Sequence, residues 1–368
     1  MRKTLPWAVT VAALVVGSYG LYSRLFYGHA ENFGNYVTWG IWVSTYLYFI
    51  GLSAGAFLVG TAFNELRKLS RVVALAACTG GLLAIWLDLG HMERFYRTLI
   101  VPNFSSPISW LVWFYTLYFI LLGWSNYRNL WRGEEESQGL GWAGVVLVLG
   151  IILSSSFLFA LNTAKPFWNT AVLPLLFLGA AVTSGGALLT LLSSILRPDD
   201  KELLTRLKQV VLGSLALTAF LEFSEIFLAV KGGAPEHYEV ARSLLVGAYA
   251  PVFWIGVVLV AFIVPLILLQ PLRSGGKKTQ WGCISLLVGF FALRYLFVIS
   301  AQGVPSLKGL ETAVREARYS FEYVPSAGEW FTVVFLCGLV AALVLTGLAR
   351  IEEFKVAGER EKEAKINA

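Results

Sequence analysis

Charge is what this sequence has least of. Only 14% of its 368 residues are Asp, Glu, Lys or Arg, whereas 57% are hydrophobic. So few charges cannot clothe a soluble domain of this length, whose exterior must stay largely polar. Cysteine is sparse too. Cys78, Cys283 and Cys337 each sit in an apolar run without CxxC spacing, which excludes a cysteine-held zinc or iron–sulfur site and leaves small packing residues. The three histidines, His29, His91 and His237, lie in loops or at a span end. The facing intrahelical histidines of a di-haem cytochrome b are therefore missing. The net charge of +6 gives no case for nucleic acid, because the basic residues fall between apolar runs, where membrane topology accounts for them.

What the chain has instead is apolar length. Mean hydropathy is +0.67, and the apolar runs of about twenty residues can each cross roughly 30 Å of hydrocarbon. They are continuous and not alternating, which rules out a β-barrel. The expected fold is an all-α, polytopic transmembrane bundle of about ten spans. These lie roughly at 5–23, 40–62, 72–90, 107–126, 140–161, 170–193, 209–230, 244–269, 282–301 and 328–348. Residues 1–348 form a single integral-membrane domain, and 349–368 a charged tail expected to be disordered or surface-bound. The basic start (Arg2, Lys3) admits a signal peptide, but the run is long and Ser23-Arg24-Leu25 is a poor cleavage site, so the first span is read as retained. With the N-terminus inside, nineteen Lys and Arg fall on inner segments and nine on outer ones. That bias puts both termini in the cytoplasm.

The outer loops are then Arg24–Trp39, His91–Ser106, Lys231–Ser243 and Gly303–Ala327. The last reads as a short interfacial helix followed by a Pro-terminated strap. Polar residues at membrane depth gather near the same leaflet. Asp88 and His91 stand three apart at the outer end of the third span, a spacing that places both on one helical face. Glu222 and Glu225 lie in the outer half of the seventh span, and Glu329 opens the tenth. Arg294 sits near the middle of the ninth. Such groups normally pair with one another or line a wet cavity.

Each has a plain structural reading as well. Arg294 would neutralise Glu222 or Glu225, Asp88 and His91 would be solvated at the headgroups, and Glu329 would answer the helix dipole. Gly51, Gly55 and Gly60 would let helices approach closely. On the inner side Glu65 is the only acidic residue near a span. The functional reading is a quinol pocket: oxidation releases two protons and two electrons, so each hydroxyl needs a base within hydrogen-bond reach. Asp88, His91, Tyr323 and Glu329 have that chemistry at the right depth.

The segment DLGHMERFYRTLIVPNFSSPISW resembles the signature of the NrfD/PsrC family of respiratory membrane subunits, through Asp88, Gly90, Arg94, Phe95, Pro102, Ser106, Pro107 and Trp110. Met92 departs from a proline common there. Trp39–Leu58, Ala250–Leu269, Ala292–Pro305 and Tyr323–Trp330 resemble further family motifs, and ten spans resemble the HybB/DsrP-like branch. The resemblance implies bound menaquinone or ubiquinone, with no haem or metal in this protein. It also implies an extracytoplasmic ferredoxin-like subunit with 4Fe–4S clusters, and beyond it a molybdopterin enzyme, a hydrogenase or a multihaem cytochrome. Asp88 and His91 would accept protons, Tyr323 and Glu329 would line the site, and Glu222, Glu225 and Arg294 would form a proton network. Two rivals remain: a secondary transporter that uses the same carboxylates, with Pro174 and Pro265 as possible helix breaks, and a passive anchor without a quinone site.

Overall fold

The computed structural model describes residues 4–27, 36–232, 234–270, 276–305 and 321–366, with side chains up to 352. His29 and most of the expected interfacial helix of the 303–327 loop lie outside the described residues. The helices are α1 (Thr4–Tyr27), α2 (Ile41–Ala62), α3 (Arg67–Asp88), α4 (Pro107–Tyr127), α5 (Gln138–Ala160), α6 (Leu173–Leu196), α7 (Lys201–Lys231), α8 (Pro235–Leu245), α9 (Val252–Leu268), α10 (Gly276–Gln302) and α11 (Ala327–Ile366). Among the described residues nine of them are long and apolar enough to cross a membrane.

Helix α2 is apolar on every side and rich in Gly, Ala, Ser and Thr, a composition suited to the middle of a helical assembly. It occupies that place, packing on α3, α5, α6, α10 and α11. A Cβ on Gly55 would strike the Ala181 carbonyl of α6, and one on Gly185 would strike the Ala56 amide, so α2 and α6 meet backbone to backbone. Gly60 leaves room for the Ser70 side chain of α3, whereas Gly51 faces open space and has no packing role. Helices α2 to α5 close one bundle, and α6 joins it to α7, α10 and α9. Helix α1 runs antiparallel along α11, with Gly17 and Gly20 against Phe335 and Thr332 and Gly338 against Ala13 and Leu14.

Two expectations change. The eighth span, expected over 244–269, divides into the amphipathic α8, a turn, and the shorter α9. Pro251, itself in helical backbone, takes the first-turn place where a missing N–H costs nothing, and α9 follows it with wide i→i+5 bonding over Val252–Ile263. The tail, expected to be disordered or surface-bound, is helical, since α11 continues to Ile366. Glu, Lys, Arg and Ala, all good helix formers, dominate that stretch, and Glu361 and Lys365 stand at favourable i,i+4 spacing.

At the inner end, Gly133 adopts φ 66° and reverses the chain after α4, returning Glu136 to α3. Arg71, fully buried, donates to both carboxylate oxygens of Glu136 at 2.7 and 2.8 Å. The same guanidinium bonds the Phe57 carbonyl and the Thr61 hydroxyl and lies 3.6 Å over the Phe57 ring. Glu136 also accepts from Ser125. Glu65 is thus not the only inner carboxylate, and Arg71 does more than set topology. Burial alone would raise the Glu136 carboxyl, but hydrogen bonds and charge from Arg71, with Ser125 and Arg67, hold it below its ordinary 4.5. A depressed carboxyl stabilises the fold above 4.5, and the contribution is lost as pH falls through the folded value. We expect Arg71→Ala, which strands a buried carboxylate, to cost about 3–5 kcal/mol in reversible unfolding, while an apolar replacement of both partners costs far less.

Candidate functional site

The first amides of α2 have no partners within their own helix, and at this depth little water is available to them. Two outer segments supply partners there and just before it. The Ile41 N–H donates to the Tyr323 hydroxyl at 2.8 Å, and that hydroxyl donates to Glu329 Oε1 at 2.6 Å. Glu329 Oε2 accepts from the Ser326 N–H at 2.8 Å, and the Glu329 N–H donates back to the Ser326 hydroxyl at 3.2 Å. This is a capping box, written in the sequence as Ser326-Ala-Gly-Glu329. Gln302, at the end of α10, accepts from the amides of Thr38 and Trp39 and donates to the Trp39 carbonyl. Glu329 is 0% exposed and Tyr323 4%. Burial, followed by the Glu329 charge, drives the Tyr323 hydroxyl far above its usual range, so Tyr323 stays a neutral donor and Glu329 is the acceptor.

Asp88 is the last residue of α3, and Leu89 is already extended. His91 follows Gly90 in non-helical backbone, so Asp88 and His91 do not share a helical face. The cause is α3 ending two residues earlier than the apolar run suggests. Arg24, from the end of α1, donates to the Leu87 and Leu89 carbonyls at 2.8 and 2.9 Å, satisfying groups that the helix end leaves open. Its guanidinium lies 5.7 Å over the Trp42 ring, and the Trp42 indole donates to the Glu329 carbonyl at 3.4 Å. Trp86 and Leu87 pack with Ile41, Trp42 and Val333. Asp88 and Glu329 therefore flank one apolar, tryptophan-rich wall. His91 stands apart: its side chain is 68% exposed and Nδ1 lies 3.1 Å from Glu93 Oε1. Glu93's own backbone N–H, then His91 and Arg94, hold the Glu93 carboxyl below its ordinary range.

The other polar trio lies in the second bundle. Arg294 is 7% exposed and stacks 4.3 Å over the Phe177 ring. It is within electrostatic reach of Glu222 without a direct ion pair among the described residues. Glu225 instead accepts from the Thr170 hydroxyl at 2.7 Å, so the three do not form one contiguous cluster. Groups of three or more His, Cys, Asp or Glu suited to a metal are absent among the described residues.

Arg24, Trp42, Gln302 and Ser326 carry functions in this cap that the sequence patterns above do not assign to them. The Ser-x-x-Glu spacing is a readable signal for Ser326; Gln302 and Trp42 offer none. Tyr323→Phe should destabilise the protein by about 1–3 kcal/mol, because it leaves the buried Ile41 amide and Glu329 each short of a partner. Gly40→Ala should act in the same direction, since its Cβ would lie 2.6 Å from the Tyr323 hydroxyl oxygen. Thermal unfolding in detergent reads both.

The model of the family described as "Polysulphide reductase, NrfD" matches residues 29–306. That range holds α2 to α10 and leaves out all of α1 and all of α11, so Asp88 and His91 fall inside it and Tyr323 and Glu329 beyond it. The C subunit of the selenate reductase of Mesobacillus selenatarsenatis is 29% identical over 93% of this protein and 92% of its own length. The Hdr-like menaquinol oxidoreductase integral membrane subunit of Archaeoglobus fulgidus is 28% identical over 90% and 88%. Protein NrfD of Escherichia coli is 25% identical over 72% of this protein and 95% of its own length. With well over half its length matched, and nine helices able to span a membrane among the described residues, the chain is a multi-pass inner-membrane protein and belongs to the NrfD family.

Proposed function

We propose that this protein is the quinone-reactive membrane subunit of a respiratory oxidoreductase, exchanging electrons between menaquinol or ubiquinol and an iron–sulfur partner on the outer face. The observation that carries this is the outer cap itself. Asp88 and Glu329 flank the tryptophan wall of Trp42 and Trp86, beneath a connector rich in exposed apolar side chains. Phe95, Tyr96, Ile100, Val101 and Phe104 are each 46 to 77% exposed, and a patch of that kind calls for a protein or membrane partner. Similarity to the menaquinol oxidoreductase subunit of Archaeoglobus supports the substrate class.

In this reading the quinol ring lies against the tryptophans, with its hydroxyls toward Asp88 and His91. Asp88, partly buried, takes one proton. His91, exposed and already beside Glu93, takes the other and passes it to water. Tyr323 and Glu329 line the site from the α11 side. Their lone pairs and protons are largely engaged with each other and with α2, so they set the shape and polarity of the pocket. The electrons leave to a ferredoxin-like partner with 4Fe–4S clusters seated on the connector, and from there pass to a molybdopterin, hydrogenase or multihaem subunit. Away from this site, Glu222 with Arg294 in electrostatic reach, and Glu225 held by Thr170, would relay protons separately.

A secondary transporter has less support. Pro174 stands in the first turn of α6 and Pro265 lies in α9 at the junction with its last turn, so neither marks a mid-membrane break of the kind transporters use. A passive anchor predicts that every acidic variant keeps full activity. The test is the purified complex, with its iron–sulfur signals followed by electron paramagnetic resonance during quinol addition. Loss of a general base typically removes about 10²–10⁴ in rate, and Asp88→Asn should slow quinol-driven reduction on that scale, with His91→Ala slower to a lesser degree. Unchanged rates in both variants would sink the site assignment. In proteoliposomes, Glu222→Gln should retain electron transfer while losing proton displacement; equal loss of both would refute a separate network.

A further inference from the structure

At the inner ends of α3, α6 and α11, remote from the outer cap, lies a cavity of about 290 Å³. Leu66, Leu69 and Leu348 give it apolar lining, and Lys68, Arg197, Glu65 and Glu352 add two cations and two carboxylates. Ser193 also lines it. That serine is 1% exposed, and its hydroxyl has no hydrogen-bond partner in the protein. A buried hydroxyl left open is uncommon and calls for an explanation, of which an absent ligand is one. The site lies at headgroup depth, since α3 begins at Arg67 and α6 ends at Leu196. Beside it Ile195 and Leu196, 58 and 41% exposed, face outward.

We infer that this cavity seats the headgroup of a zwitterionic phospholipid bearing a primary amine. The phosphate takes hydrogen bonds from Lys68, Arg197 and the Ser193 hydroxyl, the ammonium donates to Glu65 and Glu352, and the acyl chains leave over Ile195 and Leu196. Three observations favour this occupant. Two cations matched by two carboxylates give no net attraction for an anionic lipid. The lining contains no aromatic ring, so a quaternary ammonium finds no cage, whereas a primary ammonium has three N–H donors for the carboxylates. The volume is at the small end for ligand pockets, enough for a headgroup and too little for a quinone ring with its tail.

The test is native mass spectrometry of the full-length protein, delipidated and then offered phosphatidylethanolamine, phosphatidylcholine and phosphatidylglycerol with identical acyl chains. Phosphatidylethanolamine should be retained most, and Lys68→Ala with Arg197→Ala should lower that retention about tenfold through lost charge-assisted hydrogen bonds. Glu65→Gln, which removes charge but almost no volume, should move the preference toward phosphatidylglycerol. Lys277→Ala, at the same membrane face but outside the cavity, should change nothing. Equal retention of the three lipids, a parent preference for phosphatidylglycerol, or retention indifferent to the double substitution would overturn the inference.

Discussion

The N-terminal end of α2 sets the terms for the rest of the molecule. A central helix that begins at the outer membrane boundary must satisfy its opening amides without bulk water. Tyr323 answers the Ile41 amide, and Gln302 answers the two residues that lead into the helix. These groups come from points more than 260 residues away along the chain. The cap therefore forms only when the first bundle, the end of α10 and the strap before α11 are all in place. Arg24 closes the facing end of α3, so α1 joins the same assembly. A shell of polar contacts that one helix end requires also gathers carboxylate, phenol and indole groups at one depth, which is what quinol chemistry needs.

The two ends of the bundle solve different problems. The inner end is closed by Arg71 and Glu136, an ion pair whose oxygens and nitrogens are almost wholly used within the protein. Such a pair fixes geometry and leaves little chemistry to spare. At the outer end the capping box of Ser326 and Glu329 is equally closed, whereas the connector beyond Asp88 exposes its apolar side chains. On the proposed function, substitutions should fail in different ways: lost folding for Tyr323 and Glu329, lost rate for Asp88.

Much of the fold was legible because the membrane imposes it. Apolar length gave the spans, and the Asp88–Trp110 motif gave the family that the comparison establishes. The departures arise where local chemistry overrides apolar length. Gly90 and the extended Leu89 end α3 before His91, separating a pair that spacing alone had joined. Pro251 resets the eighth span, and good helix formers carry α11 through a segment whose charge had suggested disorder. Arg71 and Glu136 were hidden because one reads as a topological charge and the other as a loop acid. Only the αL turn at Gly133 brings them together. The acidic pair Glu222 and Glu225 was legible as residues but not as an arrangement, since Thr170 draws one of them away.

The central claim is that quinone chemistry occurs at the outer cap and not in the second bundle, and photoaffinity labelling reads that location directly. A photoreactive azidoquinone irradiated with the purified complex, followed by peptide mapping, should mark segments containing Trp42, Trp86 to His91, and Tyr323 to Val333, and excess menaquinol should suppress the labelling. Labelling confined to peptides around Glu222 and Arg294, or labelling that menaquinol does not displace, would contradict the account.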